Sequence, residues 1–302
     1  MMNNFFNYEG DTDDTDVNSD LVAYVIENSY RDSTGRLVMP ALWNRELLHL
    51  LPNNYPLARQ VLHSLFKKFH KFPNKLNQYD AVIQQQLLDN IIEEVPDYEN
   101  IIGLNGSSFI AHNAIFKDSS STTKCRIVLL SNLCEKGESN LSHNQVSLPG
   151  PNLNSKSYIS CILLRFNKFL LIWDIVKAFL QLKMPDEDSN KLNFLWFKNV
   201  KDNDFTEVCY RIRRVPFGMR FSATLLMLAL YIILIVNSEP TNSNINNTIF
   251  NLSYMDNLAY SSNSEDNLIN AFEVSKNSFN SYGFKLQKYF TNSQEFLSLI
   301  HI

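Results

Sequence analysis

The chain has 302 residues, of which 45% are hydrophobic and 19% are charged, and its formal net charge is −4 at pH 7. This composition supports a sizeable hydrophobic core and excludes wholesale disorder, while only 8 Gly and 10 Pro exclude a collagen-like or linker-rich chain. The length fits one large domain or two ordinary ones. The four cysteines are widely spaced and form no C-x-x-C pair, so we expect reduced thiols rather than disulfides or a zinc site.

Residues 1–20 are rich in Asn and Asp, and we expect a disordered acidic tail there. The segment lacks the basic start and apolar core of a signal peptide, which favours an intracellular, cytoplasmic protein. The long apolar run 221–236 has 16 residues, fewer than the roughly 20 that a membrane helix needs. We therefore expect a buried core helix there and no membrane partner, with membrane anchoring through this run as a less favoured alternative.

Residues 21–100 predict a helical lead-in region. Apolar residues recur at helical spacing from position 58 to position 69, which indicates an amphipathic helix. A second helix is expected over 78–94, ending before Pro96.

Residues 101–130 have β character, broken by the polar run 118–123. Lys124 and Arg126 alternate with apolar residues, so both would lie on one face of an extended strand. Two cations on one face suit a phosphate ligand, although such a pair, taken alone, is more often an ordinary solvated face.

From residue 157 onward, helices and strands alternate. The alternation, with a central hairpin, predicts an α+β fold in which an antiparallel sheet is backed by helices on one face. The expected elements are a helix at 157–166, a strand at 168–174, a short helix at 176–182, strands at 193–198 and 207–215, a turn at 216–218, a helix at 221–236, a loop at 237–248, a hairpin at 249–261, a helix at 265–281 and a strand at 284–290.

Two acidic residues stand at the ends of apolar, strand-like runs. Asp174 follows the run 168–173, and Asp256 lies in the expected hairpin turn with Asn257. Two such carboxylates brought together could hold hard divalent cations through oxygen. Taken alone, each Asp is equally a cap or turn residue. Asn257 stands where a second, adjacent carboxylate would complete the charge.

An ordered set of motifs carries a family resemblance. The motifs are Leu51-Pro52-Asn53-Asn54-Tyr55-Pro56-Leu57-Ala58, Thr122-Thr123-Lys124-Cys125-Arg126-Ile127-Val128, Pro149-Gly150-Pro151-Asn152-Leu153, Leu163-Leu164-Arg165-Phe166, Asp174-Ile175-Val176-Lys177-Ala178-Phe179-Leu180-Gln181, Val215-Pro216-Phe217-Gly218, Tyr254-Met255-Asp256-Asn257 and Gly283-Phe284-Lys285-Leu286-Gln287-Lys288. Over residues 35–292, the set resembles the reverse transcriptase of Pao/BEL-type LTR retrotransposons.

The resemblance implies the fingers and palm of a right-hand polymerase, with a ferredoxin-like antiparallel sheet, over residues 101–292. It predicts no thumb or RNase H region in this chain and leaves 293–302 unassigned, as a run-off of the reading frame. It also implies RNA-directed DNA polymerase activity on a primed RNA or DNA template with deoxynucleoside triphosphates. The implied cofactors are two Mg²⁺ ions, with Mn²⁺ as a substitute. The oligomeric state stays open.

The resemblance also assigns roles to single residues. Asp174 and Asp256 would bind the metal ions, with Asn257 replacing a third catalytic carboxylate. Phe179 would be the gate that excludes a ribose 2′-hydroxyl. The nucleotide-binding residues would be Lys124, Arg126, Phe217, Gly218 and, near the pyrophosphate, Lys288, which is nearly as readily explained as a surface lysine. The alternative function is a non-catalytic remnant that keeps the palm fold and binds nucleic acid weakly.

Overall fold

The computed structural model describes residues 12–117, 125–153 and 157–300. The α-helices are α1 Thr12–Glu27, α2 Tyr55–Phe69, α3 Pro73–Leu88, α4 Ser157–Leu163, α5 Ala178–Gln181, α6 Asp186–Ser189, α7 Ser222–Tyr231, α8 Ser243–Leu252, α9 Glu265–Ser281 and α10 Gln294–Ile300. The strands are β1 Tyr30–Arg31, β2 Leu37–Val38, β3 Ile92–Glu94, β4 His112–Phe116, β5 Cys125–Leu129, β6 Phe169–Ile175, β7 Asn193–Asn199, β8 Asp204–Ile212, β9 Asn257–Ser262 and β10 Leu286–Thr291.

The chain divides into two compact units, and neither is continuous in sequence. The first comprises residues 1–39, 149–178 and 223–302, and the second comprises 40–148 and 179–222. The sequence analysis divides the chain into consecutive segments instead. Contacts between strands far apart in the chain build the units, and a linear reading of composition does not reveal such contacts.

The first unit is built around β6, the central strand of a three-stranded sheet in the order β10–β6–β9. Both neighbours run antiparallel to β6. The segment β9–α9–β10 therefore forms a split βαβ unit with β6 inserted between its strands. Alternate β6 residues Leu171, Trp173 and Ile175 are buried on the face that α9 covers. The other face carries the polar residues of the candidate site.

Helix α9 follows the signals expected from its sequence. The Ser264 hydroxyl caps its N-terminus by accepting a hydrogen bond from the Asn267 backbone N–H at 3.4 Å. The buried side chains of α9 recur on one face, and Gly283 follows the helix with a φ of +75°. The helix expected at 265–281 and the strand expected at 284–290 are both confirmed.

The second unit contains the sheet β3–β8–β7 and the hairpin β4–β5, both antiparallel. Helices α2 and α3 pack on these strands. Tyr79 of α3 lies between Phe69 and Trp196, with ring centroids 6.2 Å and 4.6 Å away. Such ring pairs contribute packing free energy beyond the area they bury.

Several expected elements are wrong. The segment 12–20, expected to be a disordered tail, lies within α1, while residues 1–11 are outside the described residues. The expected helix 78–94 is instead α3, which ends at Leu88, followed by strand β3. Residues 243–252, expected to be a loop and the start of a hairpin, form α8, whose buried residues Asn246, Ile249 and Leu252 follow helical spacing.

The sequence left the C-terminal segment 293–302 unassigned, and its origin as a run-off of the reading frame stays a prediction. Within it, residues 294–300 form α10, in which Phe296 is fully buried. Its ring packs edge-on against Phe272 of α9 at 5.0 Å between centroids. The segment is part of the core of the first unit.

The apolar run 221–236 is buried almost throughout, as α7 continued by a π-helical turn over Ile232–Val236. Among the described residues, no single helix has both the length and the apolar character to cross a membrane. Ser222–Val236 and Pro240–Leu252 meet these criteria only as a pair, bent by 110°. Cys125 and Cys209 are buried, Cys134 is partly buried and Cys161 is exposed, and none of the four takes part in a disulfide in this structure.

Candidate active site

A row of three polar side chains crosses the open face of the β10–β6–β9 sheet at one end. Asp174, near the C-terminal end of β6, lies opposite Asn257 on β9 and Gln287 on β10. Directly opposed residues of an antiparallel pair lie roughly 4.5–5.5 Å apart at Cα and direct their side chains to the same face. The structure therefore places Asn257, rather than a second carboxylate, directly beside Asp174.

Asp256 lies in a tight turn that leads into β9. The backbone N–H of Tyr254 donates to the Asn257 carbonyl at 2.9 Å, and the N–H of Asn257 donates back to the Tyr254 carbonyl at 3.0 Å. Met255 and Asp256 are thus the two central residues, and Met255 has a φ of +55°, which is uncommon for a residue with a side chain. The expected turn at Asp256–Asn257 is wrong by one residue.

The turn is fixed to the central strand through its backbone. The N–H of Ile175 donates to the Asp256 carbonyl at 3.1 Å. Asp174 and Asp256, 82 residues apart in the chain (256 minus 174), are thereby held at the same end of one sheet. The sequence analysis predicted that Asp174 and Asp256 lie near each other, and the pairing of β6 with β9 explains how their backbones are brought together.

Lys288 reaches Asp174 through an irregularity in β10. Gln287 pairs with Asp174 and Phe290 with Ile172, so two β10 residues, Lys288 among them, oppose a single β6 residue. This is a β-bulge, and Lys288 adopts the left-handed conformation with a φ of +53°. Its ammonium lies 2.9 Å from Oδ2 of Asp174. The sequence gives no signal for this bulge, and the ion pair was not predicted.

The same carboxylate oxygen accepts a second hydrogen bond. Gln287 Nε2 donates to Oδ2 of Asp174 at 3.3 Å. Asp174 is mostly buried, with 17% of its side chain exposed, whereas 54% of the Lys288 side chain is exposed. In the part of the chain that the structure describes, no group of three or more His, Cys, Asp or Glu side chains is arranged to hold a metal ion.

In the second unit, Phe179 and Phe217 form an aromatic pair. Their ring centroids are 4.5 Å apart, and the rings are tilted by 60°. Phe179 is buried at 9% exposure, while Phe217 is 55% exposed. The pair presents the ring of Phe217, rather than that of Phe179, to solvent.

The turn that carries Phe217 is held by Asn144, a residue that the sequence analysis did not single out. Asn144 Nδ2 donates to the Gly218 carbonyl at 3.2 Å, and its Oδ1 accepts from the Arg220 backbone N–H at 3.1 Å. Gly218 has a φ of +95°, a conformation that favours glycine. A Cβ at this position would meet ordinary contacts at 3.8 Å, so the backbone conformation alone explains the glycine.

Of the two predicted phosphate-binding cations, the structure describes one. Arg126 lies on β5 opposite Ile115 and is exposed. Lys124 lies outside the described residues. Its expected place on one face with Arg126 stays a prediction.

Three further arginines, at 211, 213 and 214, form ion pairs or hydrogen bonds within the protein. Arg211 pairs with Glu93, and Arg213 lies 3.4 Å from Glu93 and 2.5 Å from Asp186. Arg214 donates to a backbone carbonyl. These partners favour a structural role over contact with a nucleic-acid backbone.

The fold and the acidic residues together indicate a class of protein. Nucleotidyltransferases that use divalent ions need oxygen donors close together on a rigid scaffold. The end of the β10–β6–β9 sheet carries Asp174, and the turn bound to it through the Ile175 N–H carries Asp256. Sequence comparison then gives the family: the model of the reverse transcriptase (RNA-dependent DNA polymerase) family matches residues 113–290, more than half of the chain. The chain belongs to this family.

Membership has general consequences. Reverse transcriptases bind a primed nucleic-acid template and deoxynucleoside triphosphates, and the family generally uses divalent metal ions. The small antiparallel sheets and surrounding helices of this chain are consistent with such a domain. A search of curated proteins found no match to this chain.

Proposed function

We propose that this chain is the reverse transcriptase domain of a Pao/BEL-type retrotransposon, acting as fingers and palm, and that it synthesises DNA on a primed RNA or DNA template at a reduced rate. The family match over residues 113–290 carries the proposal. The pairing of β6 with β9, which holds Asp174 and Asp256 at one end of a sheet, supports their role as the catalytic carboxylates.

The side chains of the candidate site offer the kind of donor atom that a divalent metal ion prefers, but too little negative charge for two such ions. Carboxylate and amide oxygens are the donors that Mg²⁺ and Mn²⁺ prefer. Asp174 and Asp256 supply two negative charges, Asn257 supplies none, and Lys288 adds a positive charge 2.9 Å from Asp174. This set compensates two divalent ions poorly, and the expected reduction in activity follows from that shortfall.

Of the residues with a proposed nucleotide-binding role, Arg126, Phe179, Phe217 and Gly218 lie in the second unit and Lys288 lies in the first. In the proposal, Lys124 and Arg126 bind the triphosphate, since guanidinium and ammonium groups form charge-assisted hydrogen bonds to phosphate. Phe179 excludes a ribose 2′-hydroxyl, and its contact with Phe217 supports a fixed position for the ring. Gly218 shapes the turn that carries Phe217.

Primer extension on an RNA template with Mg²⁺ or Mn²⁺ tests the proposal. We expect Asn257→Asp to raise the rate, because it restores a charged donor beside Asp174. We expect Asp256→Ala to abolish extension. Asp266→Ala, at an exposed position in the first turn of α9, is the matched control and should leave the rate unchanged.

Two results contradict the proposal. Extension that survives Asp256→Ala removes Asp256 from the reaction. Absence of extension by both the wild type and Asn257→Asp, under conditions in which the chain is folded, excludes polymerase activity.

The alternative function is weak nucleic-acid binding without catalysis. The observation that favours it is the ion pair of Lys288 with Asp174, which occupies a carboxylate that the reaction would need. Fluorescence anisotropy with a labelled primer–template separates the two functions. Binding that weakens with added salt, without extension by any variant, selects the alternative.

A further inference from the structure

The turn that carries Phe217 lies against the end of strand β5. A Cβ atom added to Gly218 would lie 3.8 Å from the Leu129 carbonyl oxygen and 3.8 Å from Ser131 Oγ. Leu129 is the last residue of β5, and the same strand carries Arg126. The second unit thus places the strand of Arg126 beside the turn of Phe217 and Gly218.

Asn144 joins these two elements by hydrogen bonds. Its backbone N–H donates to the Ser131 carbonyl at 3.0 Å, and its Nδ2 donates to Oδ1 of Asn132 at 3.0 Å. Nδ2 also donates to the Gly218 carbonyl at 3.2 Å, while Oδ1 accepts from the Arg220 backbone N–H at 3.1 Å. One residue therefore binds both the segment that follows β5 and the turn.

The amide of Asn144 matches the two backbone groups of the turn. The Gly218 carbonyl and the Arg220 N–H flank Met219 in the chain, as do the two groups that a strand presents to an antiparallel neighbour. A carboxamide supplies one donor and one acceptor for such a pair. An aspartate at this position would have no donor, and a glutamine would carry its amide one methylene further from the backbone.

Hydrogen bonds, rather than burial, determine where this turn lies. Of residues 217–220, only Met219 is buried. A segment with so little buried surface opens locally at a small cost in free energy. Loss of the contacts with Asn144 should therefore displace the turn while the rest of the second unit stays folded.

We propose that Asn144 is a positioning residue: its side chain fixes the turn 217–220 relative to Arg126 and so sets the affinity of the second unit for a deoxynucleoside triphosphate. The proposal rests on the proposed function in taking Arg126, Phe217 and Gly218 as nucleotide-binding residues. Asn144 itself acts through the turn and not by contact with the nucleotide.

Hydrogen exchange and nucleotide binding by the full chain test the proposal without catalysis. In Asn144→Ala, the Arg220 amide should exchange about 10-fold faster, because its acceptor is lost. The dissociation constant for a fluorescent analogue of deoxyadenosine triphosphate should rise by about the same factor, because the turn is no longer held in its binding position.

Steady-state primer extension separates positioning from a general loss of structure. We expect the KM of Asn144→Ala for the deoxynucleoside triphosphate to rise about 10-fold with kcat unchanged, because the lost interaction supports nucleotide binding equally in the ground state and the transition state. Partial unfolding would instead lower kcat by reducing the amount of active protein. Thermal unfolding confirms that each variant is folded.

Two variants serve as controls. Asn199 also uses both ends of its amide at a turn of the second unit, donating to Oδ2 of Asp202 at 2.7 Å and accepting from the Asp202 N–H at 3.2 Å. Asn199→Ala should leave Arg220 exchange and nucleotide affinity unchanged. Asn144→Asp keeps an acceptor for the Arg220 N–H but has no donor for the Gly218 carbonyl. It should restore slow exchange at Arg220 without restoring nucleotide affinity.

Four outcomes overturn the proposal: unchanged Arg220 exchange in Asn144→Ala, an equal nucleotide affinity for Asn144→Ala and Asn199→Ala, a lower kcat with an unchanged KM, or no binding of the analogue by the folded wild type. Failure of the proposed function is a different result, namely absence of primer extension. A chain that binds the analogue and loses affinity in Asn144→Ala, yet extends no primer, upholds the positioning role and refutes the polymerase.

Discussion

At the scale of single residues, Asn257 has the largest expected effect on the charge of the candidate active site. Its position opposite Asp174 means that one changed side chain alters the charge of the whole row. The sequence identified this residue as the departure from the family motif. It could not show that Lys288 lies beside the same carboxylate, because a bulge in β10 produces that contact and bulges leave no composition signal.

Two buried histidines of the second unit couple its folding to pH. Burial lowers the pKa of His112 and of His143 from 6.5 to about 4. His143 Nε2 donates to the Lys191 carbonyl at 2.9 Å, and its buried Nδ1 has no partner within the described residues. His112 Nε2 donates to the Leu195 carbonyl, while Nδ1 contacts the Tyr79 hydroxyl. Both rings are therefore neutral in the folded chain at neutral pH.

The expected acid sensitivity follows from these pKa directions. Well above pH 6.5 neither the folded nor the unfolded imidazole carries a proton, and these two histidines add no pH dependence to the free energy of unfolding. Below pH 6.5 the unfolded chain binds protons that the folded chain does not, so the free energy of unfolding falls until about pH 4.

We expect His143→Gln, whose amide can also donate to the Lys191 carbonyl, to reduce this loss. The loss of unfolding free energy between pH 7.5 and pH 5 should be smaller by about 1–2 kcal/mol. Urea unfolding at the two pH values measures it. His49→Gln, at an exposed position, is the control, and an equal loss in both variants contradicts the expectation.

At the scale of helices and strands, the sequence predicted an element correctly where a long periodic pattern was accompanied by capping residues. Helix α9 has a capping serine, a buried stripe and a glycine after its end, and all three are visible in the sequence. Helix α8 was missed because Asn and Ser, which make up much of it, favour loops by propensity. Its buried face, packed in the first unit, overrides that preference.

The packing of helix α10 can be tested by mutation. We expect Phe296→Ala to lower the free energy of unfolding by about 3–5 kcal/mol, because the ring is fully buried against Phe272. Leu299→Ala, on the same helix but 51% exposed, should cost less than about 1 kcal/mol. Chemical denaturation of both variants compares them, and similar losses contradict the packing of α10.

At the scale of the whole molecule, the sequence predicted an α+β fold and most strands, but not the division into units. The order β10–β6–β9 joins strands whose pairing depends on long-range contacts, and neither hydropathy nor turn signals encode such contacts. The motifs around Asp174 and Asp256 could be recognised from the sequence because each is a short run of consecutive residues. Their direct pairing partners, Asn257 and Gln287, required the strand register.

The central place of β6 has a consequence during synthesis on the ribosome. Residues 169–173 are all apolar, and the strand's partners β9 and β10 begin only at Asn257 and Leu286. At a translation rate of about 5–20 residues per second, roughly 4–16 seconds pass between the synthesis of the end of β6 and that of the start of β9. Throughout that interval, both edges of an apolar strand lack their native partners and can pair with other chains. Nascent chains that stop before Asn257 should therefore be the ones that engage chaperones and aggregate.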